Sequence, residues 1–352
     1  MSNFKTQLQE IESKILKLVS EASDDILNDE ELILTLDQSK QTSIAINERM
    51  AEAEKTAKII SEKREGYRSV ARRGSVLYFV IADLAMIDPM YQYSLEFFSK
   101  LFNKRLDVST KSEVLEERLK ILIDDVTNSF YLNICRGLFE KDKLLFSFLN
   151  TCSILRRSGD ITPDEWNIYL RGSASDFKSF PNEIDYISDA LFHKLLGLEE
   201  AHFSFKDISK SFKDPSDSAI WKKILTADNP IIPLPAVYED RLSQFQKLML
   251  IKVMREEKLV YAVKKFVAAE LGAQYIESPP FDLEGAATDS QNTMPIIFVL
   301  SPGADPIADL IALAKERGMG ERLKIISLGQ GQGKIAEKLI QQGQQTGDWV
   351  CL

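Results

Sequence analysis

The stretch that decides the fold class is IIFVLSPGADP, residues 296–306. Five β-forming residues at 296–300 stop at a turn containing Gly303, and an alanine- and leucine-rich helical pattern follows from Asp305. A strand, a tight glycine turn and a helix together form a phosphate-binding loop, because the helix N-terminus offers free N–H groups to an anion. The stretch therefore predicts the start of an α/β unit.

The same alternation continues to the end of the sequence. It predicts strands at 296–300, 323–327 and 348–352 and helices at 305–318 and 334–346. Strands that alternate with helices are typical of a parallel sheet with crossover helices. Three such strands leave an unpaired edge and an unfilled face. We therefore expect residues 296–352 to be the truncated start of a larger α/β module.

The first turn has the shape of a phosphate loop without its chemistry. A Walker-type loop needs a lysine that contacts the phosphates and a hydroxyl that binds Mg²⁺. Here Asp305 would repel a phosphate, and Pro306 removes an N–H donor. The pair is typical of an N-cap followed by the first helical residue. We interpret the turn as a degenerate phosphate loop formed by Ser301, Pro302, Gly303, Ala304 and Asp305.

A second turn is richer in glycine. It contains Gly329, Gly331, Gly333 and Lys334, and alternating glycines with a lysine at a helix start can hold an anion. However, Ile335 stands where a Walker loop has Ser or Thr, and the spacing also departs from G-x-G-x-x-G. Glycine is the usual residue of tight turns. We interpret this segment as a flexible turn, with an anion site as the alternative.

The overall composition limits the partners. The 352 residues carry a formal net charge of −9, which argues against a nucleic-acid-binding surface. The longest apolar stretch, 76–87, is interrupted by Asp83 and is too short to span a bilayer, so we expect no membrane partner. Cysteines and histidines show no metal-binding spacing, and we find no set of nucleophile, base and orienting group. We therefore expect no metal and no catalytic residues.

Residues 1–66 predict two helices with narrow apolar seams, because apolar residues recur every three and four positions. Charged residues such as Glu48 and Arg49 fill the positions between them. This pattern favours an antiparallel coiled-coil hairpin over two ordinary amphipathic helices on a globular body. The predicted seam consists of Leu8, Ile11, Ile15, Leu18, Ile46, Met50, Ala53, Ala57 and Ile60.

The middle of the chain is helical in pattern from residue 67 to about 276. Prolines and glycines separate the helices, and Thr162-Pro163-Asp164-Glu165 predicts a helix start with an N-cap, a proline at the first position and acids in the first turn. A Pro-, Gly- and Ser-rich connector follows at 277–295. The fold class is therefore mainly α with a C-terminal α/β part.

Several stretches resemble signatures of dynein heavy chains, in the order in which they occur in that family. The long ones are YFVIADLAMIDPMYQYSL at 78–95, GLFEKDKLLFSF at 137–148 and PIIFVLSPGADP at 295–306. Shorter ones are FQKL at 245–248, PPFDL at 279–283 and SLGQGQG at 327–333. The sequences of 295–306 and 327–333 are similar to those of axonemal dynein heavy chains.

The resemblance implies a place in a motor built as a ring of six AAA+ modules in one chain. It assigns 1–66 to the strut, or buttress, that braces the coiled-coil stalk, and 67–105 to the helical lid that ends the fifth module. Residues 106–276 would join into the sixth module, and 296–352 would begin its degenerate P-loop sheet. In this family the sixth module lacks a working phosphate loop, in agreement with the chemistry of residues 301–305.

The resemblance also implies a function and partners. We expect a structural, force-transmitting segment of an ATP-driven, minus-end-directed microtubule motor in the ciliary axoneme, with no cofactor of its own and ATP and Mg²⁺ in other modules. Its partners would be the rest of the ring, the stalk, intermediate and light chains, and microtubules. The alternatives are a nucleotide-binding module that uses Gly329 to Lys334 and a free-standing helical or coiled-coil adaptor.

Overall fold

The computed structural model describes residues 30–172, 180–300 and 303–352, together with residues 6, 9, 10, 12, 13, 15–17 and 20. The chain divides into two compact units, Met1–Ser278 and Pro279–Leu352. The division falls inside the predicted connector at 277–295. Among the described residues, no helix combines the length and the apolarity that crossing a bilayer requires.

The described part of the first unit is helical. Short 3₁₀ turns lie at Leu84–Met86, Phe203–Phe205, Glu256–Lys258 and Ala273–Tyr275. The helices are α1 (Glu30–Gly66), α2 (Arg68–Asp83), α3 (Leu95–Val108), α4 (Leu115–Cys135), α5 (Glu140–Ser158), α6 (Pro163–Arg171), α7 (Asp189–Ala201), α8 (Ile208–Lys213), α9 (Pro215–Thr226), α10 (Ala236–Arg241), α11 (Gln244–Met254) and α12 (Leu259–Glu270).

One hydrophobic core extends through α2 to α12. Helix α2 packs against α4 and α5, and α12 packs against α5 and α11. The core therefore runs across the predicted boundary between residues 105 and 106. Its fully buried side chains include Leu77, Phe130, Ile134, Phe146, Trp221, Leu250 and Val267.

The predicted helix start at Thr162 is confirmed. Its hydroxyl accepts a hydrogen bond from the Glu165 N–H, and the Glu165 carboxylate accepts one in return from the Thr162 N–H, which forms a capping box before α6. Helix α11 starts with a second capping box, between Ser243 and Gln246. The Gln246 amide donates to Glu165 over 2.6 Å. This bond joins the N-termini of two helices that are 81 positions apart in sequence.

Helix α1 shows a stripe of reduced exposure along one side. Its half-buried or buried members, at spacings of three and four, are Leu36, Ser39, Ser43, Ile46, Met50 and Ala53. Ile46 is 8% exposed, whereas Ile60 is 59% exposed and Ala57 is also exposed. Of the predicted partner helix, Ile15 is half-buried, and Leu8, Ile11 and Leu18 lie outside the described residues. The coiled-coil hairpin remains a prediction.

The second unit is a small α/β structure. It contains α13 (Leu283–Asp289), α14 (Ile307–Glu316), a 3₁₀ turn (Gly320–Arg322), β1 (Leu323–Ile325), α15 (Gly333–Thr346) and β2 (Trp349–Cys351). The two strands pair in parallel, with Leu323 opposite Trp349 and Ile325 opposite Cys351. The predicted parallel arrangement with a crossover helix is confirmed for this pair. Helix α13 lies inside the segment that the sequence predicts only as a connector.

The predicted strand at 296–300 is wrong. The structure assigns no strand there, and the sheet of the described residues contains only β1 and β2. Strand-forming residues adopt a strand only where a neighbouring backbone accepts and donates the ladder hydrogen bonds, and among the described residues none pairs with 296–300 in a sheet. Four of the five side chains are exposed, with Ile297 at 81%, while Phe298 is half-buried near the ring of Phe281.

Candidate functional site

The degenerate phosphate loop is partly visible. Ser301 and Pro302 lie outside the described residues, while Gly303 adopts a left-handed backbone with φ of +86°. The Asp305 carboxylate accepts a hydrogen bond from the Ile307 N–H over 3.0 Å. Helix α14 begins at Ile307, one residue later than the proline position expected from sequence. Asp305 thus takes up a helix N-terminal donor that an anion would need.

The second glycine turn is open. Gly331 has a φ of +83°, and α15 begins at Gly333. A side chain built at Gly329, Gly331 or Gly333 would meet nothing within 4 Å. An anion site needs groups that converge on the ligand, and here the glycines border open space. The flexible turn and the anion site both remain predictions.

The described residues do bring two of the long sequence motifs together, around Tyr91. The Tyr91 hydroxyl donates to the Asp142 carboxyl group over 2.6 Å and accepts the Phe139 N–H over 3.0 Å. Tyr91 lies in the motif at 78–95, and the other two residues lie in the motif at 137–148. Burial, together with the hydrogen bond to Asp142, raises the pKa of Tyr91 to about 12, so its hydroxyl remains a donor at neutral pH.

A second aromatic side chain, Tyr93, packs closely against the same region. A Cβ added to Gly137 would lie 2.9 Å from the Tyr93 hydroxyl, so only glycine fits there without displacing the ring. We call Tyr91, Tyr93, Gly137, Phe139 and Asp142 the motif junction. It fixes the segment between α2 and α3 onto the turn between α4 and α5.

The last residues of the first unit are tied to the same two helices. The Tyr131 hydroxyl on α4 donates to the Glu277 carbonyl over 2.9 Å, and the Ser278 hydroxyl donates to the Glu140 carboxylate at the start of α5. Tyr131 also packs edge-on against Tyr275, with ring centroids 5.0 Å apart. These contacts attach residues 275–278, where the first unit ends, to α4 and α5.

Helix α2 links this region to α1. A single residue, Tyr67, separates α1 from α2. Inside the body, the Arg73 guanidinium donates to the Thr127 hydroxyl of α4 over 2.9 Å. Gly74 lets α2 approach α3 closely, because a Cβ there would lie 2.7 Å from the Phe102 ring. These contacts anchor α2, the helix that follows α1, in the core of the first unit.

The motif junction is a closed set of hydrogen-bonded groups. Its groups are hydroxyl, carboxyl and backbone partners that satisfy one another, with no nucleophile placed beside a free base. The described part of the chain contains no group of three His, Cys, Asp or Glu side chains able to hold a metal ion. Sequence reasoning missed Tyr91 and Asp142 as a pair, although each lies inside a motif that carries the family resemblance.

Comparison with known proteins places both ends of the chain in dynein families. Residues 291–352 match the family model described as dynein heavy chain region D6 P-loop domain. Residues 1–46 match the one described as ATP-binding dynein motor region. The first match contains both glycine turns, and the second contains the predicted first helix and part of α1.

Individual relatives match nearly the whole chain. Human dynein axonemal heavy chain 6 is 41% identical over 370 residues, which cover 99% of this chain and 9% of the relative. Human dynein axonemal heavy chain 3 is 41% identical over 355 residues, which cover 99% of this chain and 8% of the relative. The dynein-1-beta heavy chain of the flagellar inner arm I1 complex of Chlamydomonas reinhardtii is 39% identical over 347 residues, with 97% and 8% covered.

The chain spans less than a tenth of the length of these relatives. The resemblance that the sequence motifs predict is confirmed, and it extends beyond those motifs to almost every part of the chain. This chain is a homologue of the axonemal dynein heavy chains and corresponds to one segment of them.

Proposed function

We propose that this chain acts as a structural, force-transmitting segment of an axonemal dynein motor. The single observation that carries the proposal is the path of the helices from α1 into the core. Helix α1, the one-residue break at Tyr67 and helix α2 together extend about 80 Å at 1.5 Å per residue. Residues 54–65 of α1 are exposed, and α2 is packed against α4 and α5.

This arrangement has the parts of a lever. The Arg73 hydrogen bond to Thr127 ties α2 to α4, and the close approach at Gly74 ties α2 to α3, so movement of either neighbour displaces α2. The displacement passes along α1, which we assign to the strut that braces the stalk. A shift of the stalk would then change the affinity of the motor for microtubules. A coupling element of this kind needs stiff helices and defined contacts at both ends.

The proposal extends to cofactors, partners and location. ATP and Mg²⁺ act in other modules of the ring, and this segment itself is not catalytic. The segment contacts the rest of the ring and the stalk, and it reaches intermediate chains, light chains and microtubules only through the parent complex. The setting is the axoneme of a cilium or flagellum. Identity of 39–41% to axonemal heavy chains supports this setting.

An immunoblot tests whether the segment works within a motor. An antibody raised against residues 30–66 is applied to isolated axonemes and to the remaining cell extract. We expect a band many times larger than 39.9 kDa that is concentrated in the axonemes. A band at 39.9 kDa in the extract alone would instead show a free-standing adaptor and contradict the proposal.

A further inference from the structure

The joint between α1 and α2 has the features of a hinge. Helix α1 ends at Gly66, and Tyr67 adopts φ of −87° and ψ of +8°, outside regular helix geometry. The Tyr67 N–H bonds to the Arg64 carbonyl over three residues, and the Tyr67 carbonyl accepts both from the Val70 N–H, over three residues, and from the Ala71 N–H, over the regular four. Such a short 3₁₀ interruption within a long helix often marks a hinge.

The surroundings change at the same point. Residues 54–65 are all exposed, whereas Val70 is buried and Gly74 lies against Phe102. The helix is therefore unsupported before the joint and anchored after it. The Arg68–Glu65 ion pair across the joint is exposed, and exposed pairs of this kind add little stiffness. A bending force on α1 would act on Gly66 and Tyr67.

One side of the joint is blocked. A Cβ placed on Gly66 would lie 3.2 Å from Cδ2 of Leu115, the first residue of α4. The Gly66 backbone thus rests directly on the Leu115 side chain, which stops α1 from bending toward α4. Glycine both permits this close approach and weakens the helix at the point of bending.

We propose that Gly66 and Tyr67 form a one-sided hinge at which α1 swings relative to the helical body, with Leu115 as the stop. The inference rests on the proposed role of α1 as a lever, and it gives that lever a defined pivot and direction. A displacement of α4 moves the stop itself and so rotates α1. Motion on the other side of the joint is free.

Distances between spin labels on the full 352-residue chain test the hinge. Labels at Lys55→Cys on α1 and Lys120→Cys on α4 report the swing, and labels at Lys120→Cys and Lys264→Cys report the rigid body. Cys351 is replaced by Ser, while Cys135 and Cys152 are buried and stay unlabelled. We expect the first pair to give a clearly broader distance distribution than the second.

Two variants locate the pivot. Gly66→Ala should narrow the first distribution to the width of the body pair, since alanine favours helix and the Leu115 side chain has to shift by only a few tenths of an ångström to admit the new Cβ. Leu115→Ala removes the stop and should add shorter distances. The matched control Ser61→Ala, in the exposed part of α1, should change neither distribution.

Three results would overturn the hinge. The first is a distribution for Lys55–Lys120 as narrow as that of the body pair. The second is a broad Lys55–Lys120 distance distribution that Gly66→Ala leaves unchanged. The third is a Ser61→Ala variant that narrows this distribution as much as Gly66→Ala does. The measurement needs neither nucleotide nor microtubules. A rigid joint would therefore refute the hinge and leave the lever function itself standing, since that function is tested in the axoneme.

Discussion

At the scale of single residues, the Tyr91 hydroxyl stands out because it serves two partners at once. It donates to a carboxyl group that is only 8% exposed and accepts from the Phe139 backbone. A buried polar group that loses its partner retains the full cost of its desolvation. The contribution of this tyrosine therefore exceeds that of an ordinary surface hydrogen bond.

Replacement of Tyr91 by Phe should lower the free energy of unfolding of the first unit by about 1–3 kcal/mol, because Asp142 and the Phe139 N–H lose a buried partner. Urea denaturation followed by tryptophan fluorescence measures this change. The measurement uses a Trp349→Phe background, in which Trp166 and Trp221 report on the first unit alone. The control Tyr261→Phe removes the hydroxyl of an exposed ring and should change the free energy of unfolding little. Equal urea midpoints for the two variants would refute the role assigned to the Tyr91 hydroxyl.

The environment of Glu165 leads to a second prediction, which concerns the pH dependence of the stability of the first unit. Burial alone would raise the pKa of Glu165, but hydrogen bonds from the Thr162 N–H and hydroxyl and from the Gln246 amide outweigh burial and lower it. A carboxylate with a lowered pKa stabilises the folded state above the ordinary glutamate pKa of about 4.3, and the stabilisation is lost as pH falls through the lowered value.

The first unit should therefore lose more stability between pH 6 and pH 3 than the Glu165→Gln variant does. Urea midpoints at the two pH values, in the Trp349→Phe background, measure the difference. The variant keeps the shape of the side chain but not its charge. Glu62→Gln, at an exposed position of α1, should behave as the unmodified chain. Parallel losses for Glu165→Gln and the unmodified chain would show that Glu165 contributes no such pH dependence.

At the scale of elements, the anchor of α2 depends on the absence of a side chain at Gly74. A Cβ there would approach the Phe102 ring to 2.7 Å, so either α2 or α3 would have to move. Overpacking of this kind costs about 1–3 kcal/mol. We expect Gly74→Ala to lower the thermal midpoint of the first unit, and Phe102→Leu to relieve part of that loss.

A double-mutant cycle separates the contact from other effects. The double variant Gly74→Ala with Phe102→Leu should be less destabilised than the sum of the two single variants. Ser75→Ala, at the exposed neighbouring position, serves as the control for a change in helix propensity. Strict additivity of the two changes would mean that Gly74 and Phe102 do not set the distance between α2 and α3.

The elements also show what could be predicted from sequence. The helix start at Thr162 was predictable because the capping box joins residues only three positions apart, and α15 followed from a local glycine turn and apolar periodicity. The strand at 296–300 failed because a strand depends on a neighbour that no local pattern reveals. The Tyr91–Asp142 bond joins residues 51 positions apart and was likewise beyond local reasoning.

At the scale of the whole molecule, a packed helical body is joined to α1, a long helix whose residues 54–65 are exposed. The motif junction, the contacts of Tyr131 and the anchor of α2 all meet on α4 and α5. These two helices can therefore transmit a displacement from one part of the first unit to α1. The second unit carries the two glycine turns, and at the first of them Asp305 accepts the Ile307 N–H.

The central claim is that α1 couples the helical body to microtubule binding. Ile46→Asp, introduced into the full-length heavy chain that carries this segment, tests it most directly, with Ile44→Asp as the matched control. Ile46 is 8% exposed and Ile44, two positions away on the same helix, is 50% exposed. The quantity measured is the ATPase rate of the purified motor with and without microtubules.

A buried charge at residue 46 should break the packing of the lever, whereas a charge at residue 44 stays in water. The account predicts that Ile46→Asp keeps the basal ATPase rate but loses its stimulation by microtubules, and that Ile44→Asp retains both. Full microtubule stimulation in the Ile46→Asp motor would contradict the account.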